Sequence, residues 1–352
     1  MFKVNQFTLE SRDPMIGAPV RRLRLLPALA VAASLVLSGC GGDDEPDDSP
    51  EAQQIAEGTT IDSTWPLTGL PVTGEGSAAQ SHPVLVSKID NTSSSSPQIG
   101  LGSADLVVEE LVEGGMTRLA VFHYSELPDE VGPVRSMRAS DIGIVSPVQA
   151  AVVTSGAAGQ TIARINGAGI KFFGEGSKGV YRDDSRSAPY NLFANLSDVA
   201  DNIKQEDEQR PDDYLPWGEA KDLPKGQKAN TIAASFGSHT TNWKFQNGTY
   251  ANQNTFAASG DEFAADTVLV LRVPVGDAGY LDPAGNPVPE TKLDGKGAAL
   301  LFHDGRLVRG TWSKKGLDDS LTLSTKAGKL VVPAGHTWIE LVPAANGNVT
   351  FN

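Results

Sequence analysis

The sequence has few of the residues that cross-link small folds or bind metals. Its single cysteine excludes an intramolecular disulfide. The five histidines show no spacing typical of a zinc site. Aromatic residues make up only 7% of the chain. No apolar run reaches the roughly 20 residues of a membrane-spanning helix. We therefore expect a fold held by ordinary packing, with no metal and no other cofactor.

The apolar run nearest the start, Leu25–Leu37, is too short to span a bilayer as a helix. It follows the basic cluster Arg21–Arg24, and small residues separate it from Cys40. A basic start, a short apolar stretch and small residues before a cleavage site are typical of a secretory signal peptide. We predict a signal peptide over residues 1–39, whether translation starts at Met1 or at Met15.

The residues at the end of this run, Leu37-Ser38-Gly39-Cys40, resemble the signal of bacterial lipoproteins. The resemblance implies cleavage before Cys40 and acylation of Cys40 with fatty acids such as palmitate. We therefore expect a protein lipid-anchored to the cell membrane on its outer, extracytoplasmic face.

The charge of the chain excludes one class of partner. Loss of residues 1–39 removes five basic and two acidic residues, which changes the net charge from −14 to −17. Nucleic acid is not an expected partner, because phosphate binding needs a basic surface. An anionic membrane would repel so acidic a chain, so its expected membrane contact is the lipid on Cys40.

Composition divides the rest of the chain into two domains. Residues 40–62 are polar and predict a flexible tether, and residues 206–228 predict a linker. Residues 63–205 mix apolar β-rich runs with helical stretches, which predicts a mixed α/β N-terminal domain and an α+β or α/β class overall. Residues 229–345 hold short β-branched runs with the hairpin signals Asn247-Gly248 and Asp304-Gly305, which predict a mainly antiparallel β C-terminal domain.

Individual elements follow from the same patterns. The predicted N-terminal strands are Val84–Ile89, Asp105–Leu111, Thr117–Tyr124 and Ala150–Thr154. The predicted helices are Gln160–Ala168 and Leu196–Lys204, with Ser197 as the N-cap of the second. Gly174–Gly179 matches G-x-G-x-x-G, but extended sequence follows it, so a plain loop is favoured over a nucleotide site.

Arginines in loops that contain glycine and proline form the candidate binding site. The candidate residues are Glu113, Arg118, Arg135, Arg138, Asp183, Arg186 and Asn191. One interpretation is a pocket for an anionic or sugar ligand, such as a cell-wall component. The other is structural, because arginine pairs with carboxylates bidentately and fixes loops. A pocket requires accessible guanidinium groups, whereas bracing requires each arginine to be buried against a carboxylate.

Paired carboxylates leave an enzymatic alternative open. A cell-envelope glycan hydrolase would need two carboxyl groups on either side of the scissile bond. Glu109 and Glu110 point to opposite faces of a strand, so the candidate pairs are Glu109 with Glu113, or either of Glu109 and Glu113 with Asp183. No G-x-S-x-G motif is present to suggest a serine nucleophile.

Several longer motifs resemble those of the YerB-like lipoproteins, a bacterial family of unknown function with an N-terminal and a C-terminal domain. In the first domain they are Pro66–Leu70, Ile89–Asn91, Pro97–Leu101, Ala104–Glu109, Val112–Arg118, Val131–Arg138 and Arg182–Asn191. In the second they are Gly297–Ala299, Phe302–Gly305, Gly310–Lys314 and Gly335–Glu340. The resemblance spans about residues 65–343 and implies no particular activity.

Two positions depart from that family. Tyr190 stands where the family often has a histidine between proline and asparagine, and Val153-Thr154-Ser155-Gly156 stands where a histidine often precedes a glycine turn. The absence of both histidines favours a binding or scaffold role in the cell envelope over an enzymatic one.

Overall fold

The structure, a computed structural model, describes residues 64–73, 76–203, 205, 207–282 and 285–352. The predicted signal peptide, the predicted lipidation site Cys40 and the whole of the predicted tether lie outside these residues. Within the described ranges, no helix is long and apolar enough to cross a membrane.

The described residues form 22 strands and three α-helices. The first seven strands are β1 Leu85–Asp90, β2 Leu106–Leu111, β3 Thr117–His123, β4 Ala151–Val153, β5 Phe172–Phe173, β6 Val180–Arg182 and β7 Leu192–Ala194. The next eight are β8 Trp217–Gly218, β9 Gln227–Lys228, β10 Thr231–Ser235, β11 Thr240–Gln246, β12 Thr249–Asn252, β13 Thr267–Val273, β14 Val275–Leu281 and β15 Pro287–Thr291. The last seven are β16 Gly295–His303, β17 Arg306–Lys314, β18 Thr322–Thr325, β19 Gly328–Lys329, β20 Val332–Pro333, β21 Thr337–Pro343 and β22 Asn348–Phe351.

The helices are short. They are α1 Asp141–Val145, α2 Gly159–Gly167 and α3 Leu196–Ala200, with single 3₁₀ turns at Ser93–Ser95, Glu113–Gly115, Ser146–Val148 and Ala220–Asp222. The Asn195 side chain, rather than that of Ser197, accepts the capping hydrogen bond of α3, from Asp198 N–H at 3.0 Å. The predicted N-cap was therefore wrong by two residues, because a polar side chain was also available one residue before the helix.

One large sheet organises the molecule. Its strand order is β19-β18-β17-β16-β13-β21-β2-β3-β1-β4-β5, and β9 pairs with β17. β1, β4 and β5 are mutually parallel, and β21 runs parallel to both β13 and β2. The sheet therefore continues from the N-terminal region into the C-terminal region through β2 and β21.

The central strands are apolar on both faces because each face is covered. β1 and β3 are buried along their whole length. One core contains Val108, Ile144 and Leu341, and the other contains Val107 and Trp338 with Trp243 of the smaller sheet β12-β11-β10-β22. The large sheet thus lies between two hydrophobic layers, as expected for strands with continuous apolar runs.

The α+β expectation is confirmed, and the C-terminal strands pair mainly antiparallel, apart from parallel pairs such as β13 with β21. Both predicted hairpin turns form, and each has two consecutive residues with positive φ: Asn247 (54°) with Gly248 (90°), and Asp304 (47°) with Gly305 (65°). Domain boundaries stay a prediction. Within residues 206–228, Tyr214 and Leu215 are buried and β8 pairs with β20.

Candidate functional site

The candidate residues gather at one edge of the large sheet. β1, β4 and β5 are parallel, so their carboxyl ends meet at this edge, where ligands of α/β sheets commonly bind. Asp90 ends β1, Thr154 and Ser155 follow β4, and the loop Gly174–Gly179 follows β5. β6 follows this loop directly, so no helix begins there, as the sequence predicted.

Arg138 forms a structural ion pair with a carboxylate. Its guanidinium pairs bidentately with Glu113, through Nε to Oε2 at 2.8 Å and through Nη2 to Oε1. Burial alone would raise the pKa of Glu113, but the hydrogen bonds and charge of Arg138 lower it. The backbone N–H of Arg138 also donates to Asp141 Oδ2 at 2.6 Å. This pair matches the structural interpretation.

Arg118 lies deeper, with 3% of its surface exposed. Its Nη1 donates to the Ser136 carbonyl at 2.8 Å, and its buried Nε has no hydrogen-bond partner among the described residues. Burial and the neighbouring positive charge of Arg138 lower the pKa of Arg118 to about 10. Arg118 therefore stays charged at neutral pH.

A buried lysine joins this group, and sequence analysis missed it. Lys88 Nζ donates to Glu110 Oε1 at 2.7 Å and to Asp141 Oδ1 at 2.6 Å, and all three side chains have no exposed surface. Burial and the nearby charge of Asp141 raise the pKa of Glu110. The available signal was a charged residue inside an apolar strand, since such residues are rarely buried unless paired.

Together these side chains form what we call the charge network. Its members are the bases Lys88, Arg118, Arg135 and Arg138 and the acids Asp90, Glu110, Glu113 and Asp141. Four bases balance four acids, so the network carries no net charge when all are ionised. Such a network holds the loops that contribute to it in one conformation. A ligand can then bind only where a hydrogen-bond donor of the network is not already used within it.

Arg135 is the most exposed base of the network, with 23% of its side chain accessible. Its Nε lies 3.4 Å from Asp90 Oδ2, and its Nη1 lies 3.4 Å from the Pro189 carbonyl. The guanidinium carbon sits 5.1 Å from the centre of the Tyr190 ring. A guanidinium has five N–H donors, so several remain free here.

Arg186, Asp183 and Asn191 form a neighbouring group in the loop between β6 and β7. Arg186 donates to the Pro97 carbonyl at 2.7 Å and lies over the Phe193 ring. Asp183 accepts from Ser185 N–H and Oγ, and Asn191 accepts from Arg182 at 2.7 Å. This group meets the charge network where Arg135 contacts Pro189 and Tyr190.

Both departures from the family pattern fall beside Arg135. Thr154 Oγ1 and Ser155 N–H each donate to the Arg135 carbonyl at 3.2 Å, and Tyr190 stacks on its guanidinium. The Ser136 and Ser155 hydroxyls lie 3.2 Å apart at the same place. Two sequence positions that are distant in the chain thus flank one arginine.

A second buried cluster joins the two regions and was also missed. Glu109 and Glu340 are paired in register on β2 and β21, and both are fully buried. Glu109 accepts from Thr241 Oγ1 at 2.9 Å and lies 3.2 Å from His239 Nε2, while Glu340 accepts from Trp243 Nε1 at 2.8 Å. Like Lys88, Glu340 was visible only as a charge within an apolar run.

These contacts give the two carboxyl groups different pKa values. Burial and the charge of Glu109 raise the pKa of Glu340 well above its usual value. Burial would raise the pKa of Glu109 too, but His239 and the hydroxyls of Thr117 and Thr241 lower it. Glu109 is therefore the stronger acid and Glu340 the weaker one, as expected for two carboxyls that share one site.

The carboxylates of the hydrolase alternative all have internal partners. Glu109 is held by Thr241 and His239, Glu113 by Arg138, and Asp183 by Ser185. A polar groove of about 930 Å³ lies at the opposite edge of the sheet, near the amino ends of β1, β4 and β5. None of the candidate site residues lines that groove.

Comparisons with known proteins find the likeness over most of the chain. A curated protein of Bacillus subtilis (strain 168), named "Putative lipoprotein YerB", is 25% identical over 294 residues, which cover 79% of this chain and 86% of the relative. The crystal structure of the YerB protein from Bacillus subtilis matches with a TM-score of 0.67 at 20% identity, covering 82% of this chain and 99% of that one. The second match concerns the fold alone.

Two family models match in sequence order. The N-terminal domain of the proteins of unknown function DUF3048 matches residues 67–209, and the C-terminal domain of the same family matches residues 229–339. The resemblance drawn from the sequence motifs is therefore confirmed, and the chain belongs to the DUF3048 family.

Proposed function

We propose that this chain is a lipid-anchored protein of the bacterial cell envelope that binds an anionic or sugar ligand around Arg135. The anchor is supported by the lipoprotein box that ends at Cys40 and by the relative named as a lipoprotein. The secretory character of residues 1–39 supports the extracytoplasmic face.

The observation that carries the ligand proposal is the set of free donors on Arg135. Its two side-chain hydrogen bonds are both 3.4 Å long, at the weak end of the range. The Tyr190 ring supports the guanidinium from one side, and the Ser136 and Ser155 hydroxyls add hydrogen-bonding groups beside it. The surrounding charge network fixes this arrangement before a ligand arrives, which reduces the entropy cost of binding.

The binding proposal is tested with two sugars that differ in one charge. N-acetylmuramic acid combines an acetamido sugar with a carboxylate, and N-acetylglucosamine lacks the carboxylate. We expect N-acetylmuramic acid to shift the NMR signals of Ser155 and Tyr190. Arg135→Ala should weaken this binding by about tenfold or more, as expected for loss of a charge-assisted hydrogen bond.

Arg309→Ala is the matched control, because Arg309 also stacks on an aromatic ring, Phe351, at 5.2 Å. It should leave binding unchanged. Equal affinity for both sugars would show that the protein recognises the acetamido sugar rather than the carboxylate. If neither sugar binds, or if Arg135→Ala causes a large drop in melting temperature, Arg135 is a brace and the binding proposal fails.

The anchor has its own test. Cys40→Ser should accumulate as unprocessed precursor and take up no labelled palmitate, because the thiol that carries the lipid is gone. Ser38→Ala keeps a small residue before the cysteine and should be processed and labelled normally. Normal labelling of Cys40→Ser would refute the lipoprotein assignment without affecting the ligand proposal.

A further inference from the structure

Far along the chain from the charge network lies a lysine that is buried without an ion-pair partner among the described residues. Lys314 ends β17, and only 5% of its surface is exposed. Its Nζ donates to the Gly143 carbonyl of α1 at 2.5 Å. Among the described residues, no carboxylate oxygen lies within 4.0 Å of Nζ, although Asp294, Asp318 and Asp319 are close enough to interact through space.

A small cavity adjoins this amine. Its volume is about 30 Å³, enough for roughly two or three non-hydrogen atoms. Most of its lining is apolar, from side chains such as Val108, Leu293 and Ile339, and the Tyr214 ring also contributes. The cavity lies between the N-terminal and C-terminal regions and offers space beside a nitrogen atom.

Burial without a paired charge changes the chemistry of the amine. A solvated lysine has a pKa near 10.4, so at pH 7.5 it is almost entirely protonated and not nucleophilic. Burial lowers the pKa of Lys314 to about 8, and the three aspartates offset this only in part. A substantial fraction of the amine is then neutral at physiological pH, with a lone pair available. Lysines that form Schiff bases are activated in this way.

We propose that Lys314 and its cavity form a covalent binding site for a short aliphatic aldehyde. The neutral Nζ attacks the carbonyl carbon, and one proton moves from Nζ to the former carbonyl oxygen to give a carbinolamine. Loss of one water then forms the C=N bond of an imine. No oxidant or reductant is required, and hydrolysis returns the free amine and the aldehyde.

The surroundings of Lys314 favour an aldehyde over an anion. Asp294, Asp318 and Asp319 create a negative potential that opposes a bound carboxylate or phosphate. An aldehyde is neutral, and its short alkyl group matches the apolar lining and the small volume of the cavity. An aromatic aldehyde is too large for it.

Competitive labelling of the wild-type full chain tests the proposal without a variant. The protein is treated at pH 7.5 with acetaldehyde and sodium cyanoborohydride, which reduces the imine to a stable ethylamine. Peptide mass spectrometry then compares Lys314 with the exposed lysines Lys296 and Lys329 of the same chain. We expect Lys314 to be ethylated roughly 10- to 100-fold faster, because far more of its amine is neutral.

Two further conditions sharpen the result. At pH 10.5 about half of a solvated lysine amine is also neutral, so the advantage of Lys314 should shrink to about twofold. Benzaldehyde should label Lys314 no faster than Lys296 at either pH. Ethylation of Lys314 at pH 7.5 at or below the rate of Lys296 and Lys329 would overturn the proposal, and rapid labelling by benzaldehyde would overturn its restriction to short aldehydes.

Discussion

At the scale of single residues, the molecule is defined by charges placed inside apolar strands. Lys88 lies between Glu110 and Asp141, and Glu340 lies beside Glu109. Buried charges are costly unless they are paired and hydrogen-bonded, so these positions fix which strands can be neighbours. The Glu109 and Glu340 pair lies where β2 meets β21, and its protonation should control how stable that junction is.

The two glutamates should give opposite pH dependence. Burial and Glu109 raise the folded pKa of Glu340, so its contribution to stability is full below about pH 4.5, its unfolded value, and is lost as pH rises through the folded pKa. Glu340→Gln stays neutral at every pH. We expect wild type to lose stability relative to this variant by at most about 1.4 kcal/mol per pH unit above pH 4.5.

Glu109 should behave in the opposite way, because its folded pKa is lowered. Its contribution is present above the unfolded value of about 4.5 and is lost as pH falls through the folded pKa. Glu109→Gln should therefore destabilise the protein more at pH 7 than at pH 4. Urea unfolding of both variants between pH 4 and pH 9 provides the measurement, and parallel curves would contradict the assignment of charge within the pair.

Sequence reasoning found part of this chemistry and missed the rest for a physical reason. Arg118, Arg135 and Arg138 were singled out because arginines are conspicuous in acidic loops. Lys88 and Glu340 were overlooked because they sit alone within apolar runs, and their partners come from other elements, which for Lys88 are β2 and α1. A pairing of this kind depends on register between strands, which is a long-range property that local patterns do not contain.

At the scale of elements, the hairpin of β14 and β15 links the two regions on the side of α2. Arg164 of α2 pairs bidentately with Glu290 of β15, at 2.9 and 2.6 Å. The Tyr280 hydroxyl of β14 lies 2.7 Å from Thr161 Oγ1 of α2. The hairpin extends beyond this contact, and Leu281 at the end of β14 is 62% exposed. The hairpin is therefore exposed at the end of β14, whereas Val288 and Thr291 of β15 are buried, and the Arg164 pair is one of the contacts that hold it.

Arg164→Ala should loosen this hairpin without unfolding the protein. Arg164 is 41% exposed, so solvent screening limits the loss to about 1 kcal/mol or less. Amide hydrogen exchange in β14 and β15 should accelerate by up to roughly fivefold, because local opening becomes easier.

Arg182→Ala is the matched control for this experiment, since Arg182 makes a similar exposed bidentate pair with Glu175 in another loop. It should leave exchange in the hairpin unchanged. Equal acceleration by both variants would show that exchange reports general destabilisation. Exchange unaffected by Arg164→Ala would show that the ion pair does not hold the hairpin.

Strand positions were predictable to within a few residues, but their arrangement was not. The apolar, β-rich content of Asp105–Leu111 and Thr117–Tyr124 predicted β2 and β3. The turn chemistry of Asn247-Gly248 identified the hairpin of β11 and β12. Nothing local indicates that β21, near the end of the chain, inserts between β13 and β2. Such non-local pairing is decided by which buried surfaces match, after the strands have formed.

At the scale of the whole molecule, the continuous sheet makes the two family regions depend on each other. β21 pairs with β2 in a register that runs from Leu106 opposite Thr337 to Glu109 opposite Glu340. Without the N-terminal region, this edge of β21 would expose unpaired backbone groups, and Glu340 would lose its neighbour Glu109. We therefore expect the strand pairing to hold the two regions together even when the chain is cut within residues 206–228.

A cut in the connecting segment should thus leave the two halves together. Lys221 and Lys225 are exposed, so trypsin should cleave after them under native conditions, whereas the strands of the sheet should resist. Denaturing gels should show two fragments, while size exclusion should show one species of unchanged mass. Residues 229–352 expressed alone should fail to fold, because β21 keeps β13 but lacks β2, the second of its two partner strands. Lys221→Gln with Lys225→Gln is the control and should abolish the cut. If the nicked halves instead separate in native buffer, the regions are independent domains, and the sheet junction at Glu109 and Glu340 contributes little to holding them together.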